Sequence, residues 1–229
     1  MSEIKHEITT PDFERNERIK TFYERNKKII EKLLEEIKNK LGEGATAEVY
    51  FLDSNEEICL KILKPAKELP YHVPLEQEMN FLSQLQNIDE EVRVPKPYLT
   101  ADYSENGDEN AIRFLLMEKL NALSIRDILE GKGELPAGFN VASFKGKISN
   151  FLEKMHEKNI YHRDLHGGNI MIDNKTGDLY VIDFGASTKD FGSDNPYTEV
   201  RLENSLSFTE DEVNLTELCL TLKKYMVDK

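Results

Sequence analysis

The residues best suited to do chemistry lie in the segment YHRDLHGGNIMI, residues 161–172. Asp164 offers a carboxylate that could take the proton of an acceptor hydroxyl. Asn169, five residues further on, offers an amide oxygen that could hold a metal ion from the same loop. Phosphoryl transfer requires this combination: a carboxylate within hydrogen-bond reach of the hydroxyl, and a cation held nearby to neutralise phosphate charge. The apolar residues that follow read as a short strand that would anchor the loop.

A further metal candidate is doubled. Asp-Phe-Gly occurs at 183–185 and again at 190–192. The first copy follows the apolar run LYVI, and Asp183 lies 14 residues beyond Asn169, room for one hairpin that brings the chain back to the loop. The second follows the polar ASTK, with no strand to aim it, so Asp190 reads as a solvated loop residue and Phe191 as packing.

Upstream, GEGATAEV places Gly42 and Gly44 ahead of a strand. Backbone amides can approach phosphate where no side chain intervenes, although two glycines alone fit an ordinary hairpin turn equally well. Lys61, in EICLK, follows Val49 by 12 residues on the next strand. Glu76 and Glu78 are its candidate partners from the helical segment after it. Met79, Leu82 and Leu85 form an apolar stripe beside Glu78, which favours that residue and leaves Glu76 in solvent.

The elements that must position these groups follow from periodicity. From Phe13 to Leu41, apolar residues recur at steps of three and four, the pattern of an amphipathic helix. EVYFL and EICLKIL read as a β-hairpin around the turn DSNE. VPLEQEMNFLSQLQNI is helical, and RFLLMEKL is a buried strand reached through the polar loop YSENGDEN. After Leu120 the character changes: SIRDILEG and VASFKGKISNFLEKMHEKN are helical, NIMID and DLYVIDFG are short strands, and FTEDEVNLTELCLTLKKYMV closes the chain as a helix. The expected division is 1–39, an amphipathic helical extension; 40–120, a strand-rich lobe; and 121–229, a helix-rich lobe.

Composition narrows the function classes. With 229 residues, 39% of them hydrophobic, the chain can bury the core of one large domain or two small lobes. Its 30 basic and 43 acidic residues give a net charge of -13, which repels phosphate backbones and anionic lipid. Nucleic acid and membranes are therefore not expected partners. Cys59 and Cys219 have no metal-like spacing and fit a reduced, cytoplasmic setting, with Cys59 a packing residue. No apolar run approaches the ~20 residues that span a bilayer, and the first residues lack an apolar signal core.

Taken together, these segments resemble the protein kinases of the eukaryotic-like superfamily. The resemblance implies an α+β, bilobal fold with a strand-rich N-lobe and a truncated helical C-lobe, and a reaction that uses ATP with Mg2+, or Mn2+ in its place. It makes Gly42, Gly44 and Val49 parts of the phosphate loop, with Ala47 at the third glycine position. Lys61, paired with Glu78, becomes the ligand of the α- and β-phosphates. Met117, Glu118 and Leu120 would border the adenine site, the last two through backbone groups. Asn169 and Asp183 become the metal ligands and Asp164 the base, while His162 supports the loop from the core. Asp211 would brace the catalytic-loop backbone, or else be a simple carboxylate near a helix N-terminus.

Two departures shape the reading of substrate. His166 stands where serine/threonine kinases carry lysine, and DLHGGN is similar to the aminoglycoside and choline phosphotransferases. Only 44 residues follow Gly185 (229 minus 185), and they contain no Ala-Pro-Glu. That outline resembles the minimal effector kinases that bacterial pathogens inject into host cells by non-classical routes. The expectation is a protein kinase, serine/threonine-directed, with a protein substrate and a protein activator or docking partner met through the N-terminal helix. The alternatives are a small-molecule phosphotransferase and a pseudokinase that only binds. Ser187, Thr188, Ser193, Tyr197 and Thr198 are available for phosphorylation, with Arg163 as a receiving cation, but so short a segment is expected to need no phosphate.

Overall fold

The computed structural model describes residues 7–9, 40–44, 46–52, 55–64, 74–103, 112–189 and 207–228. These sort into two compact units. The first holds the described residues up to Ser83 together with Lys96–Leu120, and the second holds Gln84–Pro95 and the described residues from Asn121 onward.

The first unit is built on an antiparallel sheet. Its strands are β1 (Glu7–Thr9), β2 (Lys40–Glu43), β3 (Ala47–Leu52), β4 (Asn55–Leu63), β6 (Pro97–Tyr103) and β7 (Ile112–Glu118), in the spatial order β1-β6-β7-β4-β3-β2. β4 is central, with β3 on one side and β7 on the other. Residues Ile58 through Leu63 are buried without a break, so this strand reads as a continuous run where a half-exposed strand would alternate. Helix α1 (Leu75–Gln84) buries Leu75, Met79, Phe81 and Leu82 together with Glu78. Cys59 is a free, buried thiol, and burial pushes its pKa up to about 12, which suits a packing residue.

The amino-terminal reading needs correction where it meets described residues. Residues 10–39, which carry most of the expected amphipathic helix, lie outside them. Glu7–Thr9, expected within the helical extension, instead pairs antiparallel with Thr100–Asp102 at the edge of β6. An open strand edge presents unpaired backbone groups, and the ladder they offer outweighs local helical preference. Leu41, counted as the last position of the helix, belongs to β2 and is 47% exposed. Gly42 directly after it disfavours helix propagation, and Lys40, Gly42 and Glu43 take up the register of β3.

Among the described residues the second unit pairs a small sheet with three helices. Its strands run in the order β5-β10-β9-β8, from β5 (Val92–Arg93), β8 (Leu123–Ser124), β9 (Ile170–Ile172) and β10 (Leu179–Val181). The β9–β10 hairpin returns the chain antiparallel. Helix α2 (Ile125–Leu129) starts at Ser124, whose hydroxyl accepts from the Asp127 N–H, and α3 (Val141–Glu157) starts at Asn140, whose side chain accepts from the Ser143 N–H. These are ordinary N-caps that satisfy otherwise orphaned donors. α3 buries Phe144, Ile148, Phe151, Leu152 and Met155, a stripe at helical spacing, and packs on α4 (Ser207–Asp228). Leu215, Leu218 and Leu222 of α4 are buried, while Val213, Leu220 and Val227, at seven-residue steps, are exposed. Among the described residues no helix is long and apolar enough to cross a membrane.

Asp89 explains why 84–95 groups with the second unit. Its carboxylate accepts from the Glu91 and Val92 amides, from Asn150 Nδ2 at 2.7 Å and from Lys154 Nζ at 2.8 Å. It thereby ties this segment to α3. Burial by itself would raise the Asp89 pKa, but the Lys154 hydrogen bond and the two backbone N–H bonds outweigh it, and the carboxyl titrates below its usual value of 3.8. A depressed folded-state pKa stabilises the fold above the unfolded value, and that contribution fades as pH falls through the folded one. Asp89→Ala should therefore cost about 2 kcal/mol or more at pH 7 by orphaning buried donors. Denaturant unfolding of both proteins should show the gap between them narrowing as the pH is taken below 3.8.

Candidate active site

The candidate residues fall into two groups, one on each unit. On the first unit, the antiparallel register sets Val49 opposite Lys61, and Lys61 opposite Leu115. The Lys61 ammonium meets both carboxylate oxygens of Glu78, at 2.7 and 2.9 Å, with the two residues 3% and 1% exposed. Two charges this deeply buried persist only as a mutually compensated pair. Glu78 rather than Glu76 makes the contact, because it lies on the buried face of α1 with Met79 and Leu82.

Gly42 lies within β2 and Gly44 just after it, where the Gly44 N–H donates to the Ala47 carbonyl at 2.8 Å. A Cβ at Gly42 would meet nothing within 4 Å and one at Gly44 only the Ala47 oxygen at 3.7 Å. Neither glycine has a positive φ. Among the described residues nothing crowds either position, which leaves room for backbone to approach an external group and fits an exposed hairpin turn equally well.

Met117 and Glu118 end β7. The N–H of Glu118 donates to the Lys96 carbonyl and that of Lys119 to the Glu57 carbonyl, both at 2.8 Å. Those two donors are committed to the protein. Of the three amides in Glu118–Leu120, the Leu120 N–H is the one with no acceptor among the described residues.

On the second unit, the loop 162–169 is held from below by Asp211 of α4, which is fully buried. Its two carboxylate oxygens accept from the backbone N–H groups of His162 and Arg163, each at 3.1 Å, and His156 Nε2 lies 3.4 Å away. Arg163 has φ 67, and a left-handed turn of this kind aims successive N–H groups at a single anion. Asp211 thus does more than decorate a helix N-terminus. Ser187, also fully buried, donates to the His162 carbonyl at 3.2 Å, and Tyr161 and Thr188 form an isolated bridge.

The His162 ring is fully buried and packs on Phe184 with centroids 4.9 Å apart. Its Nε2 lies 2.9 Å from the Ile182 carbonyl, and its Nδ1 lies 3.3 Å from the Asp164 N–H. A carbonyl can only accept and an amide N–H can only donate, so the ring carries its proton on Nε2. One side chain thus joins the loop to the strand that delivers Asp183.

Asp183 has φ 63 and ψ 74, a left-handed conformation, and caps the short 3-10 turn Phe184–Ala186. Aspartate tolerates this region better than most residues, yet the cost is real and such strain gathers at functional positions. Asn169 donates from Nδ2 to the Asp164 backbone carbonyl at 2.9 Å and to its Oδ2 at 3.3 Å. With the donor end so engaged, Oδ1 is the atom available to coordinate a cation. The Asp164 side chain is 53% exposed, open to an incoming hydroxyl.

Some expected residues take other places. Ser187 and Thr188 are 0% and 3% exposed, so they are structural members of the loop and not accessible phosphorylation sites. The second Asp-Phe-Gly, Asp190 to Gly192, and Ser193, Tyr197 and Thr198 lie outside the described residues. Arg163 sits 3.8 Å from Glu210. Residues that spacing did not reveal include Asp89, Ser187 and Arg126, whose guanidinium lies 3.4 Å from His166 Nδ1. The side-chain partners His166 of Arg126 and Asn150 and Lys154 of Asp89 lie 40 or more residues away, and no periodic signal reports a contact of that kind.

Residues 35–206 match the protein kinase domain family. Mitogen-activated protein kinase kinase kinase 3 of Arabidopsis thaliana is 31% identical over 156 residues, covering 65% of this chain and 23% of that protein. Human mitogen-activated protein kinase kinase kinase 5 is 29% identical over 164 residues, covering 69% and 11%. A bacterial serine/threonine-protein kinase, PknA of Corynebacterium glutamicum, is 28% identical over 150 residues, covering 63% and 30%. The matched part thus spans under a third of each of these relatives. The strand-rich first unit, the loop built on Asp164 and Asn169, and the match over 35–206 have one conclusion: the chain belongs to the protein kinase family.

Proposed function

We propose that this chain is an ATP- and Mg2+-dependent protein kinase acting on serine or threonine hydroxyls. The observation that carries the reading is the exposed Asp164 carboxylate, tied to Asn169 on a loop that a buried carboxylate holds by its backbone. One relative, PknA of Corynebacterium glutamicum, is named a serine/threonine-protein kinase, and that name supports serine/threonine as the acceptor.

The residues present fit the nucleotide and the metal. Mg2+ takes one or two protein ligands and completes its shell with phosphate oxygens and water. Asn169 Oδ1 and the Asp183 carboxylate are ligands of that type and number. Among the described residues no three His, Cys, Asp or Glu side chains cluster to hold a metal unaided, so phosphate oxygens would have to complete the shell. The bound ion supplies charge neutralisation on the phosphates and Lewis-acid polarisation of the transferred group.

Each protein group then has one task. Gly42 and Gly44 let backbone approach phosphate. Lys61, fixed by Glu78, presents its ammonium to the α- and β-phosphates without spending conformational freedom at the moment of reaction. Leu120 donates its N–H to the base. Asp164 orients the acceptor hydroxyl and receives its proton as the new O–P bond forms and the bond from the γ-phosphorus to the β–γ bridging oxygen breaks, with ADP as the leaving group. Asp211 is a positioning residue that keeps the 162–164 backbone in the geometry this requires. Mn2+ would fit the same two ligands.

One observation favours a second reading: His166 stands where a lysine is expected next to Asp164, as in small-molecule phosphotransferases. Incubation with labelled ATP and with bacterial and eukaryotic lysates separates the readings. Labelled protein bands, with serine or threonine sites found by mass spectrometry, support the proposal. Label confined to small molecules transfers it to the second reading, and ATP binding without any transfer makes the chain a pseudokinase. Action on proteins of a host cell, through a docking partner at the N-terminal segment, belongs to the proposal by resemblance. Substrates found only in the eukaryotic lysate would support it.

Asp164→Ala should lower turnover by about 100-fold or more while ATP affinity stays near that of the parent protein. Retained turnover would remove Asp164 from the role of base. Asp183→Ala should abolish transfer and weaken metal-dependent ATP binding, whereas Asp190→Ala should keep most activity. Asp211→Asn should depress kcat far more than the KM for ATP, as expected of a residue that positions the base without touching nucleotide. A pure KM effect would contradict that role.

A further inference from the structure

Arg126 stands beside the loop that carries Asp164, in a protein whose net charge is -13. Its guanidinium NH2 lies 3.4 Å from His166 Nδ1, and the Gly168 N–H donates to the same nitrogen at 2.9 Å. An atom that accepts from an amide N–H carries no proton of its own, so the ring proton of His166 is on Nε2. That nitrogen faces Asp164 Oδ2 at 3.7 Å. One imidazole ring therefore separates the guanidinium from the carboxylate proposed to receive the acceptor proton.

The loop backbone is shaped to allow this stack. A Cβ on Gly168 would come within 2.8 Å of His166 Cε1 and 3.1 Å of Arg126 Cζ, and the Arg126 N–H donates to the Gly167 carbonyl at 2.8 Å. The side chain is nevertheless exposed. Among the described residues no carboxylate pairs with it, and its neighbour Asp127 is engaged by Lys132 and Ser124. Other basic residues of this unit, Arg93, Lys132, Lys147, Lys154 and Arg163, do face carboxylates.

We infer that Arg126, seated on His166, is an anion-recognition site that selects acceptors carrying a carboxylate or phosphate close to the hydroxyl to be phosphorylated. This rests on the assignment of Asp164 under the proposed function. Guanidinium presents paired donors that match both anions. In an otherwise acidic protein, an acidic acceptor is repelled unless a local cation offsets the field. An extended peptide advances about 3.3 Å per residue, so the selected anion lies within about three residues of the acceptor.

The test uses the full chain with ATP and Mg2+ on serine-acceptor peptide libraries that carry Glu, phosphoserine or Gln at the flanking positions. The parent protein should prefer Glu or phosphoserine over Gln by about three- to tenfold, and the ratio between the first two tells which anion the site favours. Arg126→Ala should bring that preference to unity and Arg126→Glu should reverse it in favour of Gln. An absent preference, or one that survives Arg126→Ala, overturns the inference. A second measurement needs no turnover: the Arg126 Nε–Hε NMR signal should shift with Glu-Ser-Glu peptide and not with Gln-Ser-Gln peptide. A shift without transfer in the parent protein leaves the anion site standing and removes the kinase assignment. Transfer with neither preference nor shift does the reverse.

Discussion

The second unit depends on a carboxylate that has no contact with water. Asp211 is fully buried, and burying an ionised carboxylate is costly unless donors replace its hydration. Here the donors include two consecutive backbone amides, those of His162 and Arg163. Satisfying the charge therefore constrains the backbone. Arg163 adopts φ 67, and the chain leaves the turn with Asp164 pointing into solvent and Asn169 folded back onto it. Helix α4 is the platform for this, and Leu215, Leu218 and Leu222 lock it in place through their burial.

The first unit solves a related problem with two charges. Lys61 and Glu78 are each almost without exposure, and the pair fixes an ammonium in space, while the desolvation of two charges offsets what their attraction adds to stability. Its position follows from β4 being the central strand, flanked by β3 and β7. The ammonium is thus held by a sheet register at one end and a helix face at the other. In both units a buried carboxylate immobilises the group that matters, a backbone segment in one and a side chain in the other.

The dependence of specificity on such scaffolding is visible at His166. Its Nδ1 is claimed by a backbone N–H and by Arg126, so the residue in the place of an expected lysine acts here as a seat for a cation drawn from α2. Charge is supplied next to Asp164 by a different element. The choice of residue at 166 then bears on the acceptor through Arg126 as well as through its own ring.

The residue types proposed for catalysis, and their spacing, can be read from the sequence, because phosphoryl transfer would use a carboxylate, an amide and a metal-binding aspartate at separations that one loop and one hairpin allow. The central elements were legible too, since β3, β4, β7, α1, α3 and α4 are long enough to show periodicity. β1, β5 and β8 have two or three residues each and lie in no apolar run of the kind that marks the equally short β9 and β10; they pair with neighbouring strand edges. Leu41 fitted a helical stripe and became strand because β3 offered a ladder. Sequence alone determined which atoms could react, as that depends on side-chain chemistry. Only the tertiary structure decided which groups were committed elsewhere, such as the amides of Glu118 and Lys119 and the hydroxyl of Ser187. It also decided that Arg126 comes to His166, whereas the choice of Glu78 over Glu76 was already favoured by the apolar stripe beside Glu78. These outcomes turn on burial and on hydrogen bonds between residues far apart in the chain, where each polar group must find a partner and local pattern does not say which.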